Sequence, residues 1–105
     1  MDLLTLEWIQ ERVRRGEYLL SLHADEERRA DGLDIADLEE ALLNGQMLEE
    51  YPEDRRGSSC LVYGTSQGKP IHVVCGKNRS EWMVVVTVYI PSEPKWQSPT
   101  KRRGP

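Results

Sequence analysis

Apolar positions recur along this chain with two different periods. Leu3, Leu4, Leu6, Ile9 and Val13 fall near one helical face, with Glu7, Glu11, Arg12 and Arg14 mostly opposite, and Gly16 marks the stop. "EYLLSL" (17–22) is a short apolar run that reads as an edge strand or a connector. "ADEERRADG" is short, charged and closed by Gly32, the pattern of a solvated helix. In "DIADLEEALLNG", Asp34 is placed to cap a helix whose face carries Ile35, Leu38 and Leu42, and Asn44-Gly45 ends it. From residue 46 the period changes to that of strands: "QMLEEY", then "SSCLVYG", "PIHVVC" and "EWMVVVTVYI", separated by "PEDRRG", "TSQGK" and the basic "GKNRS".

This order predicts an α+β domain over residues 1–91. N-terminal helices pack on one face of a roughly four-stranded antiparallel sheet, and residues 92–105 form an irregular basic tail. A loop of two or four residues around Gln67-Gly68 sets Tyr63 against His72 and Cys60 against Cys75. If "KNRS" closes the next hairpin, Val73 faces Val84 and His72 faces Val85. Alternation then gives a helix-covered face of Val62, Ile71, Val73, Val84, Val86, Val88 and Ile90 with both cysteines. The second face carries Leu61, Tyr63, His72, Val85, Thr87 and Tyr89.

Charge changes the picture more than composition does. The net charge is −4, but residues 1–54 hold 5 Arg against 16 Asp and Glu, and residues 55–105 hold 9 Lys and Arg against 2 Glu. The basic half suits an anion such as RNA or an acidic protein, or the two halves attract each other within one domain. No apolar run is long enough for a membrane span, and the acidic N-terminus does not read as a signal peptide, so the expected location is the cytoplasm. Two buried thiols are then expected rather than a disulfide. A zinc site from Cys60, Cys75, His23 and His72 fails because His72 points away from the cysteines, so neither metal nor cofactor is expected.

His72 is the candidate for chemistry. It interrupts an apolar strand and shares a face with Tyr63, Thr87 and Tyr89, near Arg55, Arg56, Lys69, Lys77 and Arg79. An imidazole with an unperturbed pKa of about 6.5 suits proton transfer near neutrality. The alternative is a structural histidine with its hydrogen bonds satisfied.

"HADEERRADGLDIADLEEALLNGQMLEEYP", "GKPIHVVCG" and "TVYIPSEPKW" together resemble the uncharacterised bacterial family catalogued as domain of unknown function 4258, over about residues 17–103. That family looks related to RelE-like and MqsR-like toxins, small ribonucleases of toxin–antitoxin pairs. The resemblance implies a RelE-like fold and metal-independent RNA cleavage. Its pattern matches His23 at the helix opening, His72, Thr87 and Tyr89 on strands, Trp96 in the tail, and Arg102 or Arg103 after it. Many members carry an arginine where this chain has Glu27, which weakens any phosphate-binding role for that helix.

On this resemblance His72 is the general base or acid, Tyr89 its hydrogen-bonding or proton-transfer partner, and Arg55 or Arg56 with Lys69 the phosphate stabilisers. His23, Tyr63, Thr87 and Trp96 complete the substrate contacts, Trp96 by stacking on a base. The expected partners are RNA and a small antitoxin protein. The competing expectation is a non-catalytic protein-binding module of the same fold, using the acidic helices or the basic tail.

Overall fold

The computed structural model describes residues 4–52, 57–93 and 95–104. Helix α1 (Leu6–Arg15) begins where the Thr5 side chain accepts from the Trp8 N–H. It ends at Gly16, whose φ of 67° is the left-handed conformation of a helix stop. Strand β1 (Tyr18–Leu20) follows, then α2 (Leu22–Ala30) and α3 (Ile35–Leu43). Ser21 caps α2 by accepting from Ala24 N–H, and its hydroxyl donates to the Val86 carbonyl, which ties the cap to the sheet. Asp34 is the N-cap of α3, and its N–H donates to Asp37.

Strands β2 (Gln46–Tyr51), β3 (Ser59–Ser66), β4 (Lys69–Lys77) and β5 (Met83–Tyr89) complete a five-stranded mixed sheet in the order β1-β5-β4-β3-β2. The four antiparallel strands expected are joined by β1, which pairs parallel with β5. The architecture is α+β. Ile9, Val13, Leu38, Ala41 and Leu42 of the helices close over Cys60, Val62, Ile71, Val73, Cys75, Met83, Val85 and Val88. Burying each large aliphatic side chain contributes about 1.5–3 kcal/mol.

The β3–β4 register is the one the sequence predicts: Tyr63 pairs with His72 and Cys60 with Cys75. The two-residue turn fixes it, with Gln67 and Gly68 both at positive φ. The β4–β5 register differs. His72 pairs with Tyr89 and Val73 with Val88; beyond an irregularity at Val74/Cys75, Cys75 pairs with Val85. Asn78 causes the shift: its side-chain oxygen accepts from the Ser80 and Trp82 N–H groups and builds a longer loop than "KNRS" alone. The bulge also exchanges faces. Val85 enters the core, while Val84 and Val86 move to the second face.

The segment read as an irregular tail contains a small hairpin, β6 (Trp96–Ser98) with β7 (Lys101–Arg102), forming a sheet of its own. No described helix is long and apolar enough to cross a membrane.

Candidate functional site

The C-terminal hairpin lies against the second face of the main sheet, and the site is the contact between them. His72 projects from β4 and is 0% exposed. Its Nε2 lies 2.5 Å from the Pro99 carbonyl oxygen and its Nδ1 3.2 Å from the Tyr89 hydroxyl. A carbonyl only accepts, so Nε2 carries the proton, and Nδ1 accepts from Tyr89. Trp96 packs edge-on against the imidazole, ring centroids 4.3 Å apart, with Tyr89 and Tyr63 at 5.2 and 6.0 Å. Burial pulls the His72 pKa below its ordinary value; the Pro99 carbonyl and the Glu49 carboxylate oppose that.

Arg102 pins the hairpin. Its guanidinium lies 4.6 Å above the Trp96 ring and donates twice to Glu49, at 2.7 and 2.9 Å. Those bonds hold the Glu49 pKa down to about 2. Tyr51 donates to the same carboxylate, and burial, with Glu49 beside it, pushes that phenol up to about 12. Burial also raises Tyr89. The Trp96 indole N–H is buried and, among the described residues, meets no acceptor in hydrogen-bonding geometry, yet it lies near enough to Tyr89 to act against that rise.

Of the predicted residues, the structure gathers His72, Tyr89, Trp96 and Tyr63, with Thr87 half-buried two positions before Tyr89 on the same strand. It does not gather His23 or Lys69. His23 is exposed on α2 with its Nε2 3.2 Å from Glu27. Lys69 sits at the β3–β4 turn, where its charge acts on Asp37 of α3. Arg55 and Arg56 lie outside the described residues. The two cysteines are free, buried and on the helix side.

Glu49, Tyr51 and Pro99 escaped the sequence reading. The alternation in "QMLEEY" places Glu49 and Tyr51 on one face of β2, a signal that has meaning only once β2 is paired with β3. Glu27 has a structural task here. Its carboxylate accepts from Val88 N–H, and Asp31 accepts from Ile90 N–H, so α2 seals the edge of β5 that β1 leaves open.

Chemically, the cluster is a closed hydrogen-bonded contact with one neutral histidine, one carboxylate, one guanidinium and two phenols. No curated protein and no solved structure matches the chain. A family model does match, over residues 20–90: the chain belongs to the family described as "Domain of unknown function (DUF4258)".

Proposed function

We propose that this protein is a non-catalytic protein-binding module built on an α+β scaffold. The observation that carries this reading is the closure of His72, which is fully buried with both ring nitrogens engaged. A general base must reach the proton it removes. Here the imidazole reaches only groups of its own chain. Two arginines at the hairpin are also committed, Arg102 to Glu49 and Arg103 to Glu93, and affinity for RNA rests on cations free to neutralise phosphate.

One feature favours a second reading, a cytoplasmic, metal-independent endoribonuclease of a bacterial toxin–antitoxin pair. An acid/base pair (His72, Tyr89) lies under a hairpin that carries a cation (Arg102) and that, among the described residues, no backbone ladder joins to the main sheet. If that hairpin swings clear, His72 meets solvent. The likeness to RelE-like toxins, RNA as substrate and a small antitoxin as neutralising partner belong to this reading.

Induced expression of wild type beside His72→Ala separates the two, with growth, RNA integrity and soluble protein measured together. Undiminished growth and intact RNA with both chains support the binding module. Growth arrest with cleaved RNA in the wild type alone, at equal soluble protein, establishes the ribonuclease and rejects the module.

A further inference from the structure

Part of the sheet's second face is bare, an open cleft over Gly76, Val84 and Val86, and part lies under the C-terminal hairpin. The hairpin holds itself together. The Trp96 N–H donates to the Ser92 carbonyl, the Arg103 N–H to the Lys95 carbonyl, and the Arg103 guanidinium donates twice to Glu93, at 2.6 and 2.8 Å. Among the described residues, its hydrogen bonds to the main sheet fall at two points. Arg102 reaches Glu49 and Tyr51 of β2, and the Pro99 carbonyl accepts from His72 of β4. A unit fastened by so few groups, with no ladder to break, opens at a lower cost than the domain beneath it.

The His72 contact suits one charge state. With the ring neutral, Nε2–H donates to Pro99 and Nδ1 accepts from the Tyr89 hydroxyl, so each nitrogen is satisfied. A second proton turns Nδ1 from acceptor into donor. The Tyr89 oxygen must then accept, and its own O–H is left without an acceptor among the described residues. The buried indole N–H of Trp96, also without one, already lies beside it. The surrounding charges offer little relief. Glu49 of β2 attracts a charged ring, but that carboxylate is bonded to Arg102 of β7, whose charge repels it. Tyr63 of β3 and Tyr89 of β5 bring phenols, and Glu27 of α2 acts on Tyr89. Burial, to which Trp96 contributes, also disfavours the charged ring. With the hairpin away, the ring returns to water and to an ordinary value of about 6.5. Closure is therefore complete above that pH and weakens as pH falls toward the lower value of the closed state.

We propose that the C-terminal hairpin is an acid-released strap: protonation of His72 at Nδ1 unseats Pro99 and Trp96, and the hairpin leaves the sheet while the helix-covered core stays folded. Release bares His72, Tyr89 and Tyr63 together with the Glu49 carboxylate. The strap sets access to that face under either functional reading and rests on neither.

The test is native-state amide exchange of the full chain by NMR from pH 7 to pH 5, each rate corrected for its intrinsic pH dependence. A lone two-stranded hairpin is marginal in water, so the Trp96 and Arg103 amides lose protection on release. Both are expected to be less protected than the amides of β4 throughout, and their protection to fall about tenfold or more between pH 7 and pH 5. His72→Gln keeps a donor for Pro99 and an acceptor for Tyr89 but does not titrate, and should make that protection independent of pH. His23→Asn, at the histidine exposed on α2, should leave the dependence as in the wild type. The wild-type and His23→Asn arms stand whether or not His72→Gln folds. Flat protection in the wild type, the same slope in His72→Gln, or loss of the slope in His23→Asn each overturns the proposal. So does protection of the hairpin equal to that of β4, which would mean that it leaves only when the whole domain unfolds.

Discussion

The Nε2–H of His72 donates to the main-chain carbonyl of Pro99 across 2.5 Å, joining the middle of the main sheet to the turn of the C-terminal hairpin. That bond fixes the tautomer and leaves Nδ1 to accept from Tyr89. His72 is therefore the point through which the hairpin is anchored to the sheet. Replacing it with alanine leaves the partly buried Pro99 carbonyl without its donor and a void beside Trp96. The expected cost is about 3 kcal/mol, read from urea unfolding. A cost below about 1 kcal/mol would show that the hairpin is not anchored there.

Burial lowers the His72 pKa, so the folded chain binds that proton more weakly than the unfolded chain. Protons then favour unfolding. The stability from keeping His72 neutral is complete above the unfolded value of about 6.5 and falls as pH drops from there toward the lower folded value. Glu49 acts in a separate, more acidic window. Its contribution is present above its unfolded pKa and is lost as pH falls toward about 2. Unfolding midpoints across this range are expected to fall in two steps. His72→Gln should remove the upper step and keep the lower, and a single step near pH 4 in the wild type would contradict the burial of the imidazole.

Arg102 makes a two-bond ion pair between hairpin and sheet, and it is partly exposed, so its loss should release the hairpin without unfolding the domain. Arg102→Ala is expected to cost about 1 kcal/mol. In a background where Trp8 and Trp82 are phenylalanine, the emission of Trp96 should shift to the red and become quenchable by iodide. Unchanged emission would mean that packing on His72 holds Trp96 in place without the ion pair.

The parts of this fold that were legible in the sequence are those written in local periodicity. The helical faces (apart from Ile35, which is exposed), the Gln67-Gly68 turn and the pairing of Tyr63 with His72 all follow from spacing over a few residues. The β4–β5 register was not legible, because Asn78 organises a loop whose length no alternation records, and the bulge then reverses the faces of Val84, Val85 and Val86. The company of His72 was half legible. Tyr63 and Tyr89 share its face by alternation, but Pro99, Trp96, Arg102 and Glu49 arrive from the tail and from β2, through contacts 24 to 53 residues apart in the chain. A parallel β1 is hidden for the same reason: three residues of "YLL" pair with a strand at the far end of the domain.

The thiols test which face is sealed. Cys60 and Cys75 are 1% and 0% exposed, and burial pushes Cys60 up to about 12 and raises Cys75 well above the ordinary thiol value. The thiolate is the reactive form, so neither should react with an aromatic disulfide reagent at pH 8 in the native state, and both should react at once in denaturant. Fast native labelling would place the cysteines at an accessible surface and invert the assignment of the two faces.

Helix and sheet approach tightly at Gly64, where a Cβ would fall 1.8 Å from the Ala41 carbonyl oxygen and 2.6 Å from its carbon. Helix α3 rests directly on strand β3 at that point. Asn44 clamps the next residue, bonding both the carbonyl and the N–H of Thr65, so the helix end cannot slide away. Gly64→Ala must therefore separate the layers instead of shifting one side chain. We expect a loss of about 3 kcal/mol or more, at the upper end of overpacking effects. Gly76→Ala, in the same sheet but facing the open cleft, should be near neutral, because its Cβ meets only ordinary contacts. The comparison is made by urea unfolding of the two variants. Equal costs would mean that α3 does not press on β3, and with it would fall the account of why the helices cover one face and leave His72 to the other.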